Sequence, residues 1–250
     1  MAERGKESEA GKRPEPSEVQ RVGAEFLGTF LLTLAAAGAD ILDYVTPAQT
    51  IGHVARYVAP ALVVMAMIYS LTAISGAHIN PVVTFGFFLR KSFPARRLPG
   101  YWLAQFGGAT GAAAVLKALF GGALEHGATK PVMGFTDVQA VVMEAILSFA
   151  LVYTILATSE EAGSVGKNAG LAVAGIIAMC GLAFSPVSGA SMNPARSFGP
   201  ELLSGGLAYA WIYFAGPILG ALGAAGAVEL IHGPPSDGEF EGGHGKHQHT

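Results

Sequence analysis

Apolar residues gather into six long runs along this chain, at roughly 22–42, 57–75, 99–120, 138–158, 168–187 and 207–231. Crossing about 30 Å of hydrocarbon takes about 20 residues of helix, and each run meets that length. Two shorter apolar pieces follow Asn80 and Asn193 and stop after about eleven residues, roughly 16 Å of helix. That is half a bilayer. The pattern predicts an all-α membrane protein with six transmembrane helices and two re-entrant half-helices, and the lipid bilayer as its surroundings.

Composition agrees. Hydrophobic residues make up 51% of the 250 and charged ones 13%, against about a quarter in a soluble domain. Glycine, at 34 residues, suits membrane helices whose backbones approach closely. A net charge of −3 offers nucleic acid no electrostatic hold. The single cysteine, Cys180, has no disulfide partner within the chain and reads as a small buried residue. No nucleotide-binding loop, metal box or catalytic triad occurs, so the sequence supports no enzyme and calls for no cofactor.

Residues 1–20 and 232–250 read as solvated, disordered tails around a channel domain at 21–231. The first tail is charged, holds Pro14 and Pro16 and lacks the apolar core of a cleavable signal. The first span is therefore expected to serve as its own insertion signal. In the second tail His244, His247 and His249 read as solvated side chains in place of a metal site. Basic residues set the expected orientation. Arg4, Lys6, Lys12, Arg13 and Arg21 precede span 1, and Arg90, Lys91, Arg96 and Arg97 separate spans 2 and 3. The other connections of the first half offer Arg56, and Lys130 beside the span-end Lys117. Positive charge favours the cytoplasmic side, so both termini are expected there.

The chain also repeats itself. SGAHINPVV at 75–83 matches SGASMNPAR at 188–196, which puts Asn80 and Asn193 113 residues apart. Glu25 in AEFLGTFLLT answers Glu144 in MEAILSFALV after 119 residues, and Gly108 in AQFGGATGA answers Gly220 in AGPILGALG after 112. Two copies of three spans plus one short segment follow, about 21–122 and 138–231. An odd number of spans inverts the second copy, and inverted repeats set a functional site near the midplane at the ends of discontinuous helices.

Asn at an N-cap followed by Pro is a helix-start signal. The Asn oxygen accepts from first-turn N–H groups, which turns its NH₂ outward as a donor. With Asn80 and Asn193 face to face, two donors and the positive ends of two half-helices meet whatever passes between them. Water passes with its oxygen toward both amides; a proton or other cation meets a barrier. Arg196 stands three residues into the second half-helix, where the first repeat has Val83. A charge within the membrane costs about 2.5–3.5 kcal/mol on insertion scales, so one carried in a single repeat reads as functional, a fixed cation and donor.

These paired boxes, NPVVT at 80–84 and NPARS at 193–197, resemble the signature of the major intrinsic protein family, the aquaporins and glycerol facilitators. The resemblance covers about residues 21–231. It implies a midplane of Asn80, Pro81, Val82, Asn193, Pro194 and Ala195, with Val82 departing from the usual Ala as a change of packing. It implies a homotetramer with one pore per subunit in the cell membrane, plasma or inner. By position from the two boxes, the outer selectivity constriction falls on Pro60, Gly181, Ala190 and Arg196. That set lacks the aromatic and His of water-specific members and predicts a wide mouth, whereas Ser197, Tyr213 and Phe214 resemble the water-type group. Glu25 and Glu144 would buttress the loops carrying the boxes, and His78 would order its loop.

The expected function is a passive channel for water and small uncharged solutes (glycerol, urea or ammonia) that excludes protons and ions. A strictly water-selective pore is one alternative. A proton-coupled transporter using Glu25 or Glu144 is another, since an intramembrane carboxylate is a coupling candidate by default; a non-conducting scaffold is a third.

Overall fold

A computed structural model describes residues 14–47, 50–160 and 168–234. His244, His247 and His249 and the basic residues before Pro14 lie outside the described residues. Among the described residues eight α-helices run in the order α1 (Glu18–Val45), α2 (Gly52–Ser75), α3 (Pro81–Leu89), α4 (Leu98–Phe120), α5 (Asp137–Glu160), α6 (Ala169–Ser188), α7 (Pro194–Ser204) and α8 (Ala210–His232). Six of them, all except α3 and α7, are long and apolar enough to cross a membrane. There is no strand among the described residues.

Local chemistry sets the ends. α1 opens on a capping box, with the Ser17 hydroxyl accepting from Gln20 N and the Gln20 side chain accepting from Ser17 N. α2 and α6 stop at Gly76 and Gly189, both left-handed, with φ of 89° and 84°. α3 and α7 start at the Asn-Pro pairs. The Asn80 oxygen accepts from Val82 N at 3.1 Å, and that of Asn193 from Ala195 N at 3.0 Å and Arg196 N at 3.2 Å. At 1.5 Å per residue these helices of nine and eleven residues are about 14 and 16 Å long, half a span each.

Packing follows the duplication. α1 lies on α4 and α5 on α8, while α2 and α6 meet across the repeats. Both intra-repeat pairs close on glycine. A Cβ at Gly108 would stand 2.4 Å from the Phe26 carbonyl oxygen, and one at Gly220 would stand 2.4 Å from that of Ala145. The half-helices interlock, α3 seating against α8 of the other repeat and α7 against α4. The two Asn-Pro turns thereby meet inside the bundle.

Candidate functional site

Each half-helix is introduced by a loop held in a costly backbone shape. Ala77 and Ile79 in the first loop, and Ala190 and Met192 in the second, have φ between 44° and 55°. Left-handed backbone costs an L-residue about 1–2 kcal/mol, so something must hold it. Two buried carboxylates do. Glu25 accepts from Ser75 Oγ (2.7 Å) and His78 N (2.9 Å) on one oxygen, and from Ile79 N (2.6 Å) and Gln105 Nε2 (2.7 Å) on the other. Glu144 accepts from Ser188 Oγ (2.7 Å), Ser191 N (2.9 Å) and Met192 N (2.7 Å). Tyrosine struts repeat the symmetry, the Tyr101 hydroxyl donating to the Ser75 carbonyl at 2.8 Å and that of Tyr213 to the Ser188 carbonyl at 2.5 Å.

The loops lock to each other through the asparagines. Asn80 Nδ2 donates to the Met192 carbonyl at 2.8 Å, and Asn193 Nδ2 donates to the Ile79 carbonyl at 3.0 Å. An amide NH₂ carries two hydrogens, so each asparagine spends one on the opposite loop and keeps one. Both asparagines line a cavity of about 740 Å³, its open end included. Its wall includes the apolar helix residues Leu32, Val64, Ile68, Leu151, Ile155, Val173 and Ile177 together with loop residues 77–80 and 189–193. The space open to water centres is about 70 Å³, against about 10–15 Å³ needed by one water, so the cavity holds a short file of waters.

Toward the C-terminal end of α1 the cavity is bordered by Asp40, Arg56, Tyr57, Pro60, Gly181, Ala190 and Arg196. Tyr57 sits one helical turn before Pro60. A Cβ on Gly181 would come 2.6 Å from its ring, so the ring fills the room that glycine leaves. The Arg196 guanidinium donates to the Gly127 carbonyl at 3.1 Å and to Asp40 Oδ2 at 2.9 Å.

The model of the major intrinsic protein family matches residues 13–228. This chain belongs to the major intrinsic protein family. Among relatives, it is 42% identical to aquaporin NIP1-3 of Oryza sativa subsp. japonica, with 85% of this chain and 73% of that one covered. It is 42% identical to aquaporin NIP1-1 of Zea mays (85% and 75%), and 37% identical to aquaporin NIP6-1 of Arabidopsis thaliana (90% and 72%). Its fold resembles that of the aquaglyceroporin from Plasmodium falciparum, with a TM-score of 0.77 at 24% identity over 87% of this chain and 98% of that one. The protein is thus an integral membrane channel for water and small solutes, and not an enzyme.

Within this family member the sequence-derived residues separate into two groups. Asn80, Asn193, Pro60, Gly181, Ala190, Arg196 and His78 border the cavity. Pro81, Val82, Pro194 and Ala195 do not; they are buried behind the asparagines, Val82 packing with Val152, Leu156 and Ala221. Glu25 and Glu144 stand off the cavity with their oxygens occupied by donors. The His78 ring stacks on Phe87 at 4.6 Å and shares a hydrogen bond with Thr84. Cys180 is fully buried and off the cavity as well.

One expectation needs correction. The mouth does not lack an aromatic, because Tyr57 supplies one from a position that counting back from the boxes skips. Ser197, Tyr213 and Phe214 are not pore-wall residues. Ser197 bonds Ser191 and Thr129, Tyr213 is a loop strut, and Phe214 stacks on Phe106 at 5.8 Å. Sequence reasoning also passed over Asp40, Asp43 and the Tyr101–Ser75 strut. The i, i+3 spacing of two aspartates at the end of span 1, facing Arg56 at the start of span 2, was the available signal.

Proposed function

We propose that the lumen passes water together with at least one small uncharged solute, such as glycerol, urea or ammonia, and excludes protons and other ions. One observation carries this reading. The two asparagine amides and the N-termini of α3 and α7 converge on a cavity whose wall combines apolar helix side chains with the polar groups of the two loops. A molecule with a carbon edge and a hydroxyl or amide edge fits such a wall. A cation gains nothing from the apolar side chains and meets two positive helix ends at the midplane. Glu25 and Glu144 are buried off the cavity and hold the loop donors, which gives no support to proton coupling.

Tyr57 favours a second reading, a strictly water-selective pore, because its ring narrows the mouth over Gly181. Stopped-flow light scattering on proteoliposomes separates the two. Shrinkage against an impermeant solute, followed by protein-dependent re-swelling in glycerol, urea or an ammonium salt, is the expected result. Shrinkage without re-swelling in any of the three assigns the pore to water alone.

The same reading includes a homotetramer in the cell membrane with both termini cytoplasmic. Supporting the orientation, Arg90, Lys91, Arg96 and Arg97 cluster in the connection between α3 and α4, on the face where α1 begins.

A further inference from the structure

Four charged side chains cross the outer mouth as one ladder. Asp43 accepts from Gly52 N at 2.8 Å on one oxygen and from Arg56 Nη1 at 3.3 Å on the other. Arg56 Nε donates to Asp40 Oδ1 at 2.8 Å, and Asp40 Oδ2 accepts from Arg196 Nη2 at 2.9 Å. Arg196 ends the ladder on the Gly127 carbonyl. Gly127 itself is pressed on α1, since a Cβ there would stand 3.0 Å from Ala37. Of the two anchors of the guanidinium, Asp40 lies on α1 and Gly127 is packed against the same stretch of it. The side chains of Arg196 and Asp40 are 7% and 13% exposed, and both border the lumen.

The formal charges of the ladder cancel, two arginines against two aspartates. Arg196 alone would be an unpaired cation on a narrow, low-dielectric passage, where a unit charge is felt far more strongly than in water. We propose that Asp40 is a specificity-determining residue of this channel, which pins the Arg196 guanidinium to the wall and makes the outer constriction electrically neutral. Exclusion of small ions at this mouth then depends on the balance of the pair and not on Arg196 alone. The inference rests on the proposed lumen being the conducting path, and it adds what that reading leaves open, the sign of the field a solute meets first.

A purely structural brace between α1 and α7 would predict weaker folding in any variant and no pattern in the sign of a leak. Charge balance predicts a pattern. Asp40→Asn keeps the shape but leaves Arg196 uncompensated, so the mouth gains one positive charge. Nitrate uptake into proteoliposomes should rise about tenfold over wild type, equivalent to about 1.4 kcal/mol, with sodium uptake unchanged. Arg196→Val leaves one negative charge in excess and should raise sodium uptake by a similar factor without nitrate. The double variant is neutral again and should pass neither ion while still conducting water. A double variant that leaks sodium as freely as Arg196→Val would overturn the proposal, as would Arg196→Val without sodium uptake or inserted Asp40→Asn with wild-type nitrate uptake. If Asp40→Asn does not insert, the comparison of Arg196→Val with the double variant decides alone. Wild-type vesicles without water flux would instead remove the pore reading itself, so the two failures are distinguishable.

Discussion

At Gly181 the absent side chain is replaced by the ring of Tyr57, borrowed from the facing helix. A residue on α2 thus occupies this side of the mouth, and glycine is there because a Cβ would meet that ring at 2.6 Å. Tyr57→Ala should widen the mouth and speed glycerol re-swelling about tenfold, the scale on which a pocket separates solutes one or two carbons apart. Water flux should change much less, since the smaller permeant is the less hindered one. Equal glycerol rates in variant and wild type would mean that the narrowest point lies elsewhere. Gly181→His is expected to displace Tyr57 rather than simply fill a gap.

The helix pairs depend on backbone contact at Gly108 and Gly220. A Cβ at Gly220 would lie within 2.4 Å of one main-chain oxygen and 2.7 Å of the Phe149 nitrogen, neither able to yield as a side-chain end does. Gly220→Val should therefore separate α5 from α8 and cost about 3 kcal/mol, read as a lower unfolding midpoint in detergent. Gly226→Ala is the control, because nothing lies within 4 Å of its Cβ position, and it should be neutral or slightly stabilising. A Gly220 variant as stable as wild type would contradict the packing described. The 112-residue spacing of the two glycines and the 113-residue spacing of the boxes made these pairs legible in the sequence, since duplicated chains keep their close contacts in register. Tyr57 and Asp40 were not legible. Neither has a repeat mate, and their meaning comes from a contact between helices that spacing along one chain does not encode.

In the whole molecule, length and hydropathy gave away the six spans, and the half-helices followed from Asn-Pro starts and short apolar runs. The midplane needed coordinates, because the sequence aims both amides into the lumen, whereas each spends one hydrogen locking the opposite loop. What remains for the passing solute is one hydrogen per asparagine and the ends of two helix dipoles. Water needs only acceptor contact there, and a proton needs the reverse. Proteoliposomes holding the wild-type protein at several densities, placed under matched osmotic and pH gradients, measure both fluxes at once. Osmotic shrinkage is expected to rise with protein density while proton entry stays at the rate of empty vesicles. Proton entry rising in step with protein density would contradict it.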